Sequence, residues 1–254
     1  MNIAQVADFY NQILQLENFA ADPSNNGLQV CGDASRVCRK IAFAVDACGK
    51  SIEAAARAGA DMLLVHHGLS WGGGLKYLSG VNGQRLAGLY KNDLALYAVH
   101  LPLDAHKEYG NNAVLADLAG LSDRQMFFPY HGMDIGVLGC TAPVQLAELA
   151  QKTAVGKDFK IYASPLKNDL VSKVAVVSGG GGVDGLECAI AAGADVLITG
   201  EFDHVMYHVV QENKIHVIAL GHYNSEVHGV QALQKLADGK LDVATLFLDL
   251  PTGL

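Results

Sequence analysis

Apolar positions along this chain recur with two periods. Ile3, Val6, Phe9, Tyr10, Ile13 and Leu14 fall at helical spacing, which predicts an amphipathic helix laid on a core. Unbroken apolar runs then replace that stripe. Residues 40–46 (KIAFAVD), 62–65 (MLLV) and 94–99 (LALYAV) read as strands, because a short apolar run bounded by turn signals fits a strand buried on both faces. The alanine-rich residues 50–59 and residues 86–90 lie between them as helices, and Val114, Leu115 and Leu118 mark another. Asp22-Pro23-Ser24-Asn25-Asn26-Gly27 and Trp71-Gly72-Gly73-Gly74 have the composition of loops.

The pattern then starts again. Residues 174–178 (VAVVS) form a strand, Leu186, Ala189 and Ile190 a helix, and residues 196–199 (VLIT) and 215–220 (IHVIAL) two more strands. Ala58-Gly59-Ala60-Asp61 precedes MLLV, and Ala192-Gly193-Ala194-Asp195 precedes VLIT. The strand running into His100 matches the strand running into Gly221-His222, and each histidine is followed four residues on by a carboxylate, Asp104 or Glu226. Strands alternating with helices in the same order twice predict an α/β fold of two related domains from an internal duplication, residues 1–125 and 126–254, each with a largely parallel sheet. Between the repeats, residues 135–139 are expected as a short strand and residues 143–153 as a helix with Pro143 in its first turn.

Half of the residues are apolar and 17% are charged, a composition of folded rather than disordered chains. The formal charge of -8, with no run of Lys and Arg, argues against binding nucleic acid or an anionic membrane surface. No apolar run reaches bilayer length, and Asp8 and Glu17 interrupt any export signal near the start. Five cysteines without C-x-x-C spacing disfavour a disulfide framework or thiolate zinc site, so a reducing cytoplasmic setting is the simplest expectation. Any metal would then be held by His and carboxylate.

Those residues stand where an open α/β sheet keeps its ligands, at the carboxyl ends of strands. His66-His67-Gly68 closes one strand. Asp104 follows the next, and His222 with Glu226 follows the last, on one helix face if a helix begins at His222. Imidazole with carboxylate suits zinc, iron, manganese or nickel. Singly, each is more often structural: a core or turn histidine, a capping Asp104, a surface pair His222 and Glu226. His100 reads as a general acid/base or as an orienter of a ligand, or as an ordinary turn histidine. Glu201 faces the same cavity or is a solvated turn carboxylate. The turn from Ser178 to Gly185 contains G-x-G-x-x-G before a helix, a weak sign of a phosphate nest and more readily a tight turn. Asp203, His204 and His208 are taken as surface or interface residues.

The segments His66-His67-Gly68, His100-Leu101-Pro102-Leu103-Asp104-Ala105-His106, Gly110-Asn111-Asn112, Thr199-Gly200-Glu201 and Gly221-His222-Tyr223-Asn224-Ser225-Glu226, with the early Asn26-Gly27-Leu28-Gln29-Val30, together resemble the Nif-three-like family. Its members are often labelled GTP cyclohydrolase I type 2 homologues. The resemblance runs in order from Asn25 to Pro251, departing where the family commonly has Thr or Ala in place of Asn224 and Ser225. It implies two α/β domains with a dinuclear metal centre between them and a ring-shaped homohexamer, a trimer of dimers. It also implies His66, His67, Asp104, His222 and Glu226 as metal ligands. Five ligands exceed what one catalytic ion with open positions takes and do not saturate two. Two divalent ions sharing Glu226 would lower the pKa of a bridging water. The expected function is therefore a metal-dependent hydrolase acting on a nucleotide or phosphorylated small molecule, with cyclohydrolase activity suggested by the resemblance only. Rival expectations are a metal-stabilised interaction or regulatory protein without catalysis, and a nucleotide-binding module using the glycine-rich turn.

Overall fold

Two sheets, one of five strands and one of six, carry the fold. The computed structural model describes residues Met1–Leu254. The strands are β1 (Gly27–Val30), β2 (Lys40–Asp46), β3 (Met62–His67), β4 (Ala95–Ala98), β5 (Ser122–Tyr130), β6 (Met133–Gln145), β7 (Lys160–Tyr162), β8 (Leu170–Val177), β9 (Val196–Thr199), β10 (His216–Ala219) and β11 (Ala244–Phe247). The helices are α1 (Ile3–Leu14), α2 (Gly49–Arg57), α3 (Gly80–Lys91), α4 (Leu101–Asp104), α5 (Asn111–Leu118), α6 (Leu146–Ala154), α7 (Gly182–Ala191), α8 (His204–Glu212) and α9 (His222–Lys240). The chain divides into two units, one of Met1–Leu103 and Val230–Leu250, the other of Asp104–Gly229 and Pro251–Leu254. No helix is long and apolar enough to cross a membrane.

The first unit holds the sheet ordered β1-β4-β3-β2-β11. Strands β4, β3, β2 and β11 run parallel, and only edge strand β1 is antiparallel. The central strands are buried along their length, which is why they read as unbroken apolar runs. Ala42, Leu63, Leu89 and Leu96 share one core. Helix α1 buries Ile3, Val6, Tyr10 and Leu14, and Tyr10 meets Tyr97 of β4 with ring centroids 5.8 Å apart.

The second unit holds the sheet ordered β5-β6-β8-β9-β10-β7. Strands β8, β9 and β10 are parallel around a core of Leu115, Leu149, Val176, Ile198 and Ile218. Its other pairings are antiparallel, so this sheet is mixed, not largely parallel. Two further expectations change. The strand at residues 135–139 is the buried part of the thirteen-residue β6, whose outer half is mostly exposed and so carries no apolar signal. Pro143 does not open a helix. It lies where the β6–β8 register shifts between Cys140 and Val144, a bulge that tolerates a residue without an N–H, and α6 starts at Leu146.

Both units carry the same local device at the repeated A-G-A-D. Gly59 and Gly193 end their helices at φ +67° and +69°, a left-handed conformation that favours glycine. The aspartate that follows binds the neighbouring strand. Asp61 Oδ2 accepts the amides of Arg39 and Lys40 at 2.7 and 3.1 Å, and Asp195 Oδ2 accepts those of Ser172 and Lys173 at 2.8 Å each. Burial raises the Asp195 carboxyl, but the Lys167 ammonium and the two amides outweigh it and bring it down to about 2. Because its pKa is lowered from 3.8, the stability it confers is complete above pH 4 and lost as the pH falls through about 2. Asp195→Ala is expected to cost about 2 to 3 kcal/mol in chemical denaturation, since it strands two amides. In Asp195→Asn the acid-dependent part of that loss disappears. A denaturation midpoint unchanged in Asp195→Ala would show that the lock is dispensable.

Candidate metal centre

In the first unit, β2, β3 and β4 are parallel neighbours, so Asp46, His66, His67 and His100 emerge at one end of the sheet. His66 is buried, and His67 and His100 are half-buried. Their ring centroids lie 4.5, 5.2 and 5.8 Å apart in the three pairings, and one ring nitrogen of each lies within 4.8 Å of the others.

Each ring is oriented through Nδ1. His66 Nδ1 lies 2.8 Å from the Val99 carbonyl oxygen, His67 Nδ1 2.9 Å from Asp46 Oδ1, and His100 Nδ1 2.9 Å from Asp22 Oδ1. A carbonyl and an ionised carboxylate only accept, so each Nδ1 carries a hydrogen, and whenever a ring is neutral its lone pair is on Nε2. Metal-binding histidines are commonly held this way. Burial opposes ionisation of Asp22. The His100 hydrogen bond and charge, with Asn26 and the Ser24 amide, nonetheless hold its carboxyl below the usual carboxylate range. Asp22 also accepts the amide of Leu101 at 2.9 Å, and Asn26 accepts that of His100 at 2.8 Å. Past His67 the backbone turns close to Gln29, whose Oε1 accepts the amides of Leu69 and Ser70 at 2.8 and 3.0 Å. A Cβ on Gly68 would collide with that side chain and with Ala98.

In the second unit, α9 begins at His222, which puts Glu226 one turn further along the same face. His222 Nε2 lies 3.2 Å from Glu226 Oε1, and its Nδ1 2.7 Å from Glu201 Oε1. Glu226 and Asp104 are 4% and 6% exposed, too little for isolated carboxylates without compensation. Asp104 Oδ1 accepts Asn111 Nδ2 at 2.9 Å and Ser178 Oγ at 3.2 Å. The hydrogen bond to Glu226 acts most strongly on His222. Burial opposes it, the charge of Glu226 and the Glu201 hydrogen bond reinforce it, and the imidazole is pushed up to about 9.

The donor chemistry fits divalent metal ions: imidazoles with oriented lone pairs in one unit, and a buried carboxylate pair with a histidine in the other. Buried His, Asp and Glu groups of this chain are of the kind that hold such ions. Glu201 is spent on His222. Asp203 caps α8, and His204 and His208 are exposed on that helix. His106 Nδ1 accepts the amides of Glu108 and Tyr109 at 3.2 and 3.0 Å, a turn contact. The amides of Ser178 and Gly179 in the glycine-rich turn are given to Asn112 Oδ1 and Ser225 Oγ at 2.7 and 2.8 Å. Sequence reasoning assigned no role to Asp22, Asp46, Gln29, Asn112 or Ser225. Gln29, Asn112 and Ser225 lay within the segments that carry the family resemblance, and Asp46 closed an apolar strand, whereas Asp22 had no signal beyond its turn.

A family description matches residues 1–252 and reads Duf34/NIF3 (NGG1p interacting factor 3). The chain belongs to the Duf34/NIF3 family. A GTP cyclohydrolase 1 type 2 homolog of Archaeoglobus fulgidus is 44% identical over the whole of both chains. Among solved structures, a Thermus thermophilus protein is 35% identical, covers both chains fully and superposes with a TM-score of 0.88. Reduced HcgD from Methanocaldococcus jannaschii is 27% identical, covers 98% of each chain and gives a TM-score of 0.86.

For this Duf34/NIF3 chain the raised His222 makes a pH prediction. A folded pKa above the ordinary 6.5 stabilises the metal-free protein fully below that pH, and the stabilisation is lost as the pH rises through about 9. NMR titration of the metal-free protein should find the His222 ring titrating near 9, and Glu226→Gln should bring it down toward the ordinary histidine range. An unshifted His222 in both proteins would dissolve the Glu201–His222–Glu226 arrangement.

Proposed function

We propose that this chain is a metal-dependent hydrolase acting on a nucleotide or another phosphorylated small molecule, with His66, His67, Asp104, His222 and Glu226 as ligands of two divalent ions. The observation that carries this reading is the common orientation of the three histidines of the first unit, each with Nδ1–H donated to an oxygen. That arrangement directs lone pairs, not protons, from Nε2. Kinship with proteins labelled GTP cyclohydrolase 1 type 2 homolog supports hydrolytic chemistry. Ions held there would lower the pKa of water and polarise a phosphoryl or carbonyl oxygen.

The chain's own residues supply the rest. His100, held by the ionised Asp22, accepts or delivers a proton at Nε2. Glu201 keeps His222 in the tautomer whose Nε2 is a ligand once its proton leaves. Asp46 does the same for His67. We also propose, on the resemblance alone, that six chains close into a ring as a trimer of dimers, which light scattering would report as about six times the 26.8 kDa of one chain.

Elemental analysis of protein purified without chelator is expected to return close to two metal ions per chain. Glu226→Ala should lose most of that metal, whereas His106→Ala should keep it. Equal metal content in the two variants would remove Glu226 from the ligand set. Metal-loaded protein should hydrolyse a nucleotide or phosphoester in a substrate screen, and His100→Asn should cut turnover by about 10²- to 10⁴-fold with metal content retained. Metal that stabilises the fold without any turnover would favour the interaction or regulatory role.

A further inference from the structure

We propose that Trp71 is a stacking platform that positions a planar aromatic ring of the substrate beside His67 and His100. The proposal rests on the reading of that histidine group as a metal-dependent site, and it adds a specificity-determining residue.

An indole gains more than almost any side chain from burial, yet Trp71 remains 36% exposed. It is not a loose surface side chain. Its Nε1–H donates to the Gly68 carbonyl at 3.0 Å. Its ring makes a T-shaped contact with His100, with centroids 5.0 Å apart and planes at 71°, and its centroid lies 6.3 Å from that of His67. The backbone is fixed as well. Trp71 bridges Ser24, the Gly72 amide donates to the Pro23 carbonyl at 2.6 Å, and the Asn25 amide to the Ser70 carbonyl at 3.1 Å. Asn25 Nδ2 donates to Ser70 Oγ at 2.7 Å. The same 22–26 loop presents Asp22 to His100, so one loop holds both the aromatic ring and the proposed proton carrier.

Two features leave the ring available. The chain continues as Gly72-Gly73-Gly74, and a Cβ at Gly72 or Gly73 would meet nothing within 4 Å. Gly72 and Gly74 serve the left-handed turn at φ +52° and +83°, whereas at Gly73 there is room for a side chain and the sequence puts none in it. The only polar group of the indole is committed to the Gly68 carbonyl, so what the exposed part of the ring offers is apolar aromatic surface. Such a surface takes a flat ring by stacking and is indifferent to its substituents. A preorganised, partly exposed aromatic ring next to catalytic groups thus selects for a planar heterocycle, as in a nucleobase, over a bare sugar phosphate.

Trp71 is the only tryptophan in the chain, so intrinsic fluorescence reports on it alone. Metal-loaded full-length protein would be titrated with GMP and with ribose 5-phosphate, which lacks the ring. Saturable quenching by GMP but not by ribose 5-phosphate is expected. By calorimetry, Trp71→Ala should weaken GMP about tenfold or more, leave ribose 5-phosphate affinity and metal content unchanged, and be largely rescued in Trp71→Phe, which keeps a ring without the Gly68 hydrogen bond. Undiminished GMP affinity in Trp71→Ala, an equal loss for both ligands, or a Phe variant as weak as Ala would each overturn the platform. Ribose 5-phosphate binding with no advantage for GMP would overturn it while the metal-site reading stands. Failure of both ligands to bind metal-loaded protein would overturn the platform and the hydrolase reading together.

Discussion

A neutral imidazole has one donor and one acceptor, and where rings crowd together each nitrogen must be committed. At the ends of β3 and β4 the same commitment is made three times. The Val99 carbonyl, Asp46 and Asp22 each take the hydrogen from Nδ1, and the lone pair is left on Nε2. The acceptors differ in kind but share rigidity: one belongs to the backbone, one closes the neighbouring strand, and one sits on a loop with its side chain fully buried. In the neutral form, rings whose centroids are 4.5 to 5.8 Å apart and whose hydrogens sit on Nδ1 direct lone pairs from Nε2, a set of donors that suits a shared cation. The chemistry of this group follows from its outer acceptors as much as from the histidines.

That geometry holds only if adjacent strands end level with one another. A shift of one residue would exchange the faces that His66 and His67 present. The Asp61 carboxylate prevents such a shift by gripping Arg39 and Lys40 at the start of β2, and the register from Ile41↔Met62 to Asp46↔His67 follows. Asp195 holds Ser172 and Lys173 in the second unit, ahead of the turn that brings Gly179 against Glu226. In each unit a carboxylate at the amino end of a strand fixes which residues reach the chemistry at its carboxyl end.

The parallel strands were legible because burial on both faces leaves few polar residues to interrupt them, and the repeated A-G-A-D was legible because one turn needs a left-handed residue and an acceptor. The antiparallel part of the second unit was not. Strand β5 is mostly exposed, and its hairpin to β6 turns through His131 and Gly132, both at positive φ, where only the glycine advertises a turn. Strands β1, β7 and β11 are three or four residues long and gain their order from the neighbours they pair with. Among site residues, histidines at strand ends stood out, whereas Asp22 lay hidden in a turn whose composition already explained it. Its role depends on His100, 78 residues away, and no local pattern encodes that distance.

The glycine-rich turn after β8 shows how one motif serves opposite purposes. In a phosphate loop, glycines free the amides and let an anion approach. Here the amides of Ser178 and Gly179 are already given to Asn112 and Ser225. Gly179, at φ +61°, lacks a Cβ because Glu226 Oε1 and His222 Nε2 occupy that space. The groups beside the turn are carboxylates: Asp104 on Ser178, Glu226 against Gly179, and Glu201 beyond Gly180. An anion in such a place would meet like charge on several sides, at a cost that a low dielectric magnifies. The glycines therefore admit carboxylates to close quarters, and the charge that balances those carboxylates has to be positive.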